Sequence, residues 1–288
     1  MYKRQAQHKL DHDVGQIADE LPLLGTDIDR CDDQTLDIEI FPNRPDLLSG
    51  ETLTRAIRNF VHRQPAKPSI NTTEGKITLN VEPDLAEIRP VILGAVVRNV
   101  DYTSIGVSAD EFIRSLMDHQ EKLHFALGRG RKRASIGVHD LAKLAPPFTV
   151  KAVSGDTKFT PLAATEPMSI KDIMAEHPKG IEYAHLLSEF DQYPIILDAE
   201  NNVLSFPPII NGDHTTVTKE TKDFFIDVTG WDIRACESSL MLIALQLQEY
   251  GGIIETVEVT NCFGTTNVYP NGSAVEHKLT VAAIQGLL

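Results

Sequence analysis

Residues 203–230 of the 288-residue chain read VLSFPPIINGDHTTVTKETKDFFIDVTG. Two apolar runs, VLSFPPII and FFIDVTG, flank a polar segment, and runs of this length and composition predict strands. A lead-in stiffened by two prolines delivers Asn211, Gly212 and Asp213 at one place. The polar segment has two interpretations: a plain turn, or the wall of a pocket that binds a polar group.

Outward from this stretch, the chain alternates strand-like and helix-like segments. Strands are predicted in KITLNVE, VILGAVVRNV, SIGVHDL, PFTVKAV, YPIIL and IIETVEV, and helices in Ala109–Gly128, SIKDIMAEHP and RACESSLMLIALQLQEYGG. No sequence period repeats, which excludes a solenoid. The pattern predicts an α+β fold in which a larger, mixed α/β domain spans residues 76–262.

Residues 1–75 are predicted to form a separate small α/β domain with its linker. LDIEI, residues 36–40, alternates like a strand with one buried face, and Ser49 is predicted to cap a helix that continues to Phe60. The segment 63–75 is rich in Pro, Ser, Thr and Asn, which predicts a linker or a long loop. Residues 263–288 end in an apolar segment and are interpreted as a connector to a further domain.

The composition favours a soluble, cytoplasmic protein. Hydrophobic residues make up 42% of the chain, which suffices for a core. No apolar run approaches the roughly 20 residues that span a bilayer, and the N-terminus lacks the apolar centre of a secretion signal. The three cysteines are scattered and the histidines lack the spacing of metal ligands, so neither a disulfide framework nor a metal site is predicted.

The net charge of −14 disfavours broad binding to nucleic acid. An exception is the run GRGRKRAS, in which Arg129, Arg131, Lys132 and Arg133 cluster. Such a cluster is either a solvated loop or a contact to phosphates once a larger partner positions it. Neither a G-x-G-x-x-G nor a P-loop motif occurs. A G-x-S-x-G motif is also absent, so covalent catalysis is not expected.

Four blocks, in order, resemble the archaeal and eukaryotic form of the phenylalanyl-tRNA synthetase beta subunit. They are FPNRPDLLSGETLTRAIRNF, GRGRKRASIGVHDLAKLAPPFTVKA, GIEYAHLL and residues 203–230. The resemblance runs from about residue 36 to the C-terminus. It implies an N-terminal portion of that subunit, containing an editing domain of the B3/B4 type. A freestanding paralogue that acts on tRNA in trans is the alternative.

The resemblance implies hydrolysis of tyrosine misattached to tRNA(Phe), whereas the alpha subunit carries out aminoacylation. The implied partners are the alpha subunit in an (alpha-beta)2 heterotetramer, tRNA(Phe), and tyrosine as the editing ligand, without a membrane. No cofactor is expected in this chain, because ATP and Mg²⁺ belong to the complete synthetase. The competing functions are a non-catalytic assembly or tRNA-binding module and, more remotely, an unrelated small-molecule enzyme.

Editing requires an apolar slot for the ring, an acceptor for the phenol hydroxyl, and an oriented water with donors for the oxyanion. A pocket that hydrogen-bonds the hydroxyl can reject phenylalanine by ~10⁴-fold, because phenylalanine leaves buried polar groups unpaired. The site candidates come from the motif positions and their neighbours. The catalytic candidates are Asp213, Thr215, Asp227 and Thr229, and the substrate-binding candidates are Ser205, Pro207, Pro208, Asn211, Gly212, His214, Glu182 and His185.

Simpler roles remain open for several of these residues. Asp227 and Thr229 are two apart in a predicted strand and therefore share a face, but Asp227 can also merely cap the following loop. His214 can be a solvent-facing loop histidine. His139 and Asp140 are adjacent in a predicted strand, so they face opposite ways and cannot pair directly. This last pair is assigned a structural role.

Overall fold

The computed structural model describes residues 13–286 except residues 33–34, 65–69, 275 and 277. The helices in this part of the chain are α1 Val14–Glu20, α2 Gly50–Phe60, α3 Ala109–Ala126, α4 Ile170–Glu176, α5 Pro178–Tyr183, α6 Ile233–Gln248 and α7 Val281–Gln285. The strands are β1 Thr26–Cys31, β2 Leu36–Ile40, β3 Thr78–Val81, β4 Val91–Arg98, β5 Ala134–Asp140, β6 Phe148–Ser154, β7 Lys158–Phe159, β8 Met168–Ser169, β9 Gln192–Leu197, β10 Val203–Phe206, β11 Ile210–Asn211, β12 Phe224–Gly230, β13 Ile253–Thr260 and β14 Thr266–Tyr269.

The N-terminal unit has its own small core. Strands β1 and β2 pair antiparallel in a two-stranded sheet. Helix α2 begins after Ser49, whose hydroxyl oxygen accepts the amide hydrogen of Thr52 at 3.1 Å. The predicted strand and the predicted cap are therefore confirmed. The buried members of the core are Ile17, Leu21, Leu24, Leu47, Leu53, Ile57 and Val61.

The larger unit is built on one mixed sheet. Its strand order is β11-β10-β9-β6-β3-β13-β4-β12-β5, and β14 pairs with β13. Strand β3 runs parallel to its neighbours β6 and β13, while the other pairs of this sheet are antiparallel. Strand β5 forms one edge beside β12, and this edge carries the cavity described below.

Apolar residues on the two faces of the strands fill two cores. Phe225 of β12 and Phe148 of β6 contact each other with ring centroids 4.3 Å apart. Because several strands separate β12 from β6 in the sheet, this contact means that the sheet folds over and its halves pack face to face. The opposite face of β4, β12 and β5 packs against helices α3 and α6. The predicted mixed α/β fold is confirmed.

The sheet extends past the boundary predicted at residue 262. Strand β14 lies in the predicted connector and pairs with β13. In the predicted linker, Thr73 exchanges backbone hydrogen bonds with Ile254 and Thr256 at 2.8 and 2.9 Å. Thr73 and β14 belong to the large unit because they satisfy backbone groups of β13 that would otherwise lack partners. Residues 1–12 and 65–69 of the predicted first unit lie outside the described residues.

A buried carboxylate joins the N-terminal unit to the large one. Glu51 of α2 is 1% exposed. It accepts hydrogen bonds from Ser115 at 2.8 Å, from Gln246 at 3.2 Å and from the hydroxyl of Tyr250. Arg58 adds a bidentate ion pair to the end of α6 at 2.6 and 2.8 Å. Hydrogen bonds to an ionised group are stronger than neutral ones, so these contacts fix the small unit against α3 and α6.

Candidate functional site

A cavity of about 210 Å³ lies between the edge strand β5, helix α3 and the segment 205–217. Pockets for drug-sized ligands measure roughly 300–1,000 Å³, so this one suits a smaller molecule. Its walls are mainly apolar, with a few polar groups. It is lined by Ile113, Met117, Gln120, Glu121, Arg131, Ser135, Ile136, Gly137, Val138, Leu162, Lys179, Ser205, Pro207, Pro208, Ile209, Ile210, Asn211, Gly212, Thr215, Thr216, Val217 and Asp227.

The floor of the cavity is a buried chain of hydrogen bonds. Asp227 of β12 and His139 of β5 pair with 2.7 Å between Oδ2 and Nε2. The other ring nitrogen of His139 lies 2.9 Å from Thr215 Oγ1, and this hydroxyl also lies 3.0 Å from the carbonyl oxygen of Gly212. The hydroxyl of Thr215 is thus already engaged on two sides. It can accept a further hydrogen bond but cannot serve as a free donor, which argues against the predicted catalytic role.

Gly137 makes room for the pair of Asp227 and His139. It lies directly opposite Asp227 in the antiparallel ladder. A Cβ atom at this position would lie 2.8 Å from His139 Nε2 and closer still to the Asp227 carboxylate. Residues two apart on a strand share a face, so Gly137 and His139 point to the same side of β5. Only glycine therefore fits at position 137, because any side chain there would collide with the paired side chains of Asp227 and His139.

Thr229 was predicted to be catalytic, but its hydroxyl is turned to another partner. Arg89 is 2% exposed and donates to Thr229 Oγ1 and to the Thr229 carbonyl, both at 2.7 Å. It also donates to Ser135 Oγ at 3.1 Å and to the Arg131 carbonyl at 3.0 Å. Burial lowers the pKa of Arg89 to about 10, so it stays charged at neutral pH. Thr229 lies outside the cavity lining and anchors this guanidinium.

Arg131 was predicted to contact tRNA, but it is a structural clamp. It is 7% exposed, and its guanidinium donates to the carbonyls of Pro208 and Ile209 at 3.2 and 3.0 Å and to Glu121 at 2.8 Å. It also lies over the ring of Tyr183, 4.2 Å from the centroid. The backbone of Arg131 is left-handed, with φ of 66°, which is uncommon for a residue with a side chain. The clamp holds the apolar wall of the cavity in place.

Two residues of α3 support this clamp. The amide of Ile136 donates to His124 Nε2 at 2.8 Å, so the neutral ring carries its proton on Nδ1 and directs it to Glu121 at 3.3 Å. The hydrogen bond from His124 and the charge of Arg131 lower the pKa of Glu121 to about 2. Burial lowers the pKa of His124. Hydrogen bonds thereby connect Ile136 of β5 through His124 and Glu121 of α3 to Arg131, which holds the apolar wall.

The polar segment after the prolines divides between the cavity and solvent. Ser205 and Asn211 face each other on β10 and β11 and pair at 3.3 Å on the cavity wall. Asp213 is exposed and accepts the amide hydrogen of Ala163 at 3.3 Å. His214 is exposed as well. Neither Asp213 nor His214 lines the cavity, because the short 3₁₀ turn that follows Gly212 points their side chains outward.

Helix α5 contributes Lys179 to the cavity lining, whereas Glu182 and His185 were the residues predicted to bind the substrate in this region. Lys179 lines the cavity, whereas Glu182 pairs with Lys179 at 3.1 Å and lies outside the lining. His185 contacts the backbone of its own turn, 3.1 Å from the carbonyl of Glu182. In the basic run, Arg133 forms an ion pair with Asp232. The remaining members of that run are exposed; they are Arg129 and Lys132.

Sequence reasoning missed Arg89, Glu121, Gly137 and the pairing of His139. It correctly predicted that His139 and Asp140 do not pair, since Asp140 instead accepts from Thr221 at 2.9 Å. A signal for the partner of His139 was available. Ser135, Gly137 and His139 alternate along one strand as Asp227 and Thr229 do along another. Pairing these two strands brings the two polar faces together.

Among the described residues, no three His, Cys, Asp or Glu side chains lie close enough together to hold a metal ion. Among the same residues, every helix is too short or too polar to cross a membrane.

Comparisons with known proteins agree with this fold. A family model described as the B3/4 domain matches residues 92–246. Phenylalanine–tRNA ligase beta subunits are 45% identical in Methanosarcina acetivorans, over 96% of this chain and 49% of that protein, and 42% identical in Archaeoglobus fulgidus, over 90% and 46%. A crystal structure of an N-terminal fragment of the phenylalanyl-tRNA synthetase beta subunit from Pyrococcus horikoshii superposes with a TM-score of 0.89 at 29% identity, covering 99% of this chain and 82% of that one.

The fold and its cavity therefore define a protein with a B3/4 domain, and the chain belongs to the B3/4 domain family. More particularly, it is similar to the beta subunit of archaeal phenylalanine–tRNA ligases and, in fold, to an N-terminal fragment of such a subunit. The chain spans about half the length of the curated relatives that it matches.

Proposed function

We propose that this chain is the editing part of a phenylalanine–tRNA ligase beta subunit and that it hydrolyses the ester of tyrosine misattached to tRNA(Phe). The similarity to those beta subunits supports the first half of the proposal. The observation that supports the second half is the cavity itself. It is small and mainly apolar, and one lining group, the carboxylate of Asp227, is only 1% exposed.

The size of the cavity decides which part of the ligand it can hold. A tRNA is far larger than the cavity, so it stays outside while the amino-acid side chain lies inside. The tip of a tyrosine ring then meets the most buried polar groups, and Asp227 accepts the hydrogen bond of the phenol. The ring lies against Pro207, Pro208 and Ile209, which line the cavity. Phenylalanine would leave the buried carboxylate without this partner, which is the strong form of discrimination.

Hydrolysis then takes place at the ester outside the slot for the ring. A water attacks the ester carbonyl carbon, the bond from this carbon to the ribose oxygen breaks, and the ribose oxygen takes up a proton. The products are free tyrosine and tRNA(Phe). Ser205 and Asn211 on the wall supply donors and acceptors for the ester and the water, as an oxyanion and an attacking water require.

The proposed partners are tRNA(Phe) and an alpha subunit that carries out the aminoacylation, with ATP and Mg²⁺ used by the complete synthetase. Arg129 and Lys132 are exposed at the end of α3, next to the clamp residue Arg131. Phe125 in the last turn of α3 is 82% exposed. Exposed aromatic and basic side chains bind unstacked nucleotides, so this end of α3 is the surface that we assign to the end of the tRNA.

The test combines ligand binding with hydrolysis. Tyrosine and phenylalanine are titrated into the wild-type protein, and release of amino acid from Tyr-tRNA(Phe) and Phe-tRNA(Phe) is followed. We expect a preference for tyrosine in both assays and its loss in Asp227→Asn. Asp213→Asn is the matched control, because that carboxylate is exposed outside the cavity. Equal treatment of both amino acids by the wild type would favour the assembly module instead.

A further inference from the structure

His139 is buried beneath the cavity, with 0% of its surface exposed. Its ring is held on three sides. Nε2 lies 2.7 Å from Asp227, Nδ1 lies 2.9 Å from Thr215, and the ring of Phe225 lies almost parallel with centroids 6.0 Å apart. A ring fixed in this way cannot turn toward a ligand. His139 therefore acts on a ligand through Asp227 and Thr215, both of which line the cavity.

The hydrogen bond to Asp227 has a defined direction while that carboxylate is ionised. The ring N–H donates and Oδ2 accepts, because an ionised carboxylate has no proton to give. The donor stabilises a negative charge on a side chain that is only 1% exposed, where an unpaired carboxylate is strongly disfavoured. It also fixes the rotation of the side chain, so that the same carboxylate stays aligned with the cavity as an acceptor.

We propose that His139 is the positioning residue that gives this cavity its preference for a phenol over an unsubstituted ring. It does so by holding the Asp227 carboxylate aligned as the acceptor for the hydroxyl. This inference rests on the proposed function, since it concerns the same tyrosine pocket. It gives a role in specificity to a histidine that sequence reasoning treated as structural.

Two substitutions of His139 distinguish its hydrogen bond with Asp227 from its hydrogen bond with Thr215, because each retains only one of them. The side-chain amide of His139→Gln extends about as far as Nε2 and can donate to Asp227. The shorter amide of His139→Asn extends about as far as Nδ1 and retains only the contact with Thr215. Asp140→Asn serves as the control, because Asp140 is the buried neighbour whose carboxylate binds Thr221 away from the cavity.

The dissociation constants of tyrosine and phenylalanine are measured for all four proteins, together with their melting temperatures. We expect His139→Asn to weaken tyrosine binding at least 10-fold while phenylalanine binding is unchanged. His139→Gln should retain most of the preference, and Asp140→Asn should retain all of it. A general loss of structure would weaken both ligands equally, so the ratio of the two constants reports on positioning rather than on folding.

The outcomes distinguish this inference from the proposed function. If the wild type prefers tyrosine and His139→Asn keeps that preference, His139 does not position the acceptor and the inference is wrong, while the proposed function stands. Equal weakening of both ligands in His139→Asn, at an unchanged ratio, also overturns it. If the wild type itself shows no preference, the proposed function fails and the inference falls with it.

Discussion

Gly137→Ala is the most direct test of how the cavity floor is built. The added methyl group would lie 2.8 Å from His139 Nε2 and closer still to the Asp227 carboxylate. Overpacking of a core costs about 1–3 kcal/mol, and loss of a hydrogen bond to a charged group costs about 1.5–3 kcal/mol. The two together predict a loss of about 2.5–6 kcal/mol in the free energy of unfolding, which is large for one methyl group.

Thermal unfolding followed by circular dichroism measures this loss. For a chain of this size, about 1 kcal/mol corresponds to roughly 2–4 °C, so the melting temperature should fall by roughly 5–24 °C. Gly50→Ala is the matched control, because apart from its chain neighbours and its own helix backbone no heavy atom lies within 4 Å of the position of its Cβ. A Gly137→Ala protein that melts within about 2 °C of the wild type and binds tyrosine equally well would refute the account of the floor.

Three further predictions concern the supports of the cavity and the joint between the units. Arg131→Lys removes the planar guanidinium that binds two carbonyls of the cavity wall and the carboxylate of Glu121. With about 1 kcal/mol for each hydrogen bond, the free energy of unfolding in chemical denaturation should fall by about 2–3 kcal/mol, and tyrosine should bind more weakly. The exposed Arg133→Lys should cost less than about 1 kcal/mol, and equal costs for the two would contradict the clamp. Glu51→Gln replaces one of the two acceptor oxygens used by Ser115, Gln246 and Tyr250 with an NH2 group that is itself a donor. It should therefore cost about 1–3 kcal/mol and speed proteolysis between the two units; an unchanged cleavage rate would argue against this joint. Burial lowers the pKa of His124, so the unfolded chain binds a proton near the usual pKa of about 6.5 before the folded chain does, and stability should fall as the pH drops below that value. His124→Gln should flatten this dependence in melting curves between about pH 8 and pH 5, and an equal slope would exclude His124 as its source.

Most of the longer helices and strands could be predicted because each follows from a local pattern, whereas α1, β1 and α5 were not. Ser49 begins a helix at a capping position, and apolar residues alternate through the strands. The order of the strands in the sheet follows from no such pattern. It depends on which apolar faces cover one another across the whole chain, and so the contribution of β14 and of Thr73 to the sheet was missed.

The basic run 128–133 shows why a cluster in the sequence is not a cluster on the surface. Arg129, Gly130 and Arg131 all have left-handed backbones, with φ of 50°, 62° and 66°. The turn that they form sends Arg131 inward and leaves Arg129 in solvent. Arginine has five donors in a rigid plane, which suits it to binding several carbonyls at once. The sequence reports the charges of such a run, but the backbone conformation decides their direction.

The pairing of His139 with Asp227 depends on a strand register that the opposite face of the sheet enforces. The two residues are 88 positions apart in sequence, and they meet because Asp227 lies opposite Gly137, two residues from His139. A slip of one residue would turn every side chain of the strand to the other face. If β12 slipped, Asp227 would lie among the apolar residues that pack on α3 and α6, away from His139 of β5, and Ile226 and Val228 would leave that core. The cost of burying a carboxylate among apolar residues, together with the lost packing of Ile226 and Val228, holds the register and with it the polar floor of the cavity.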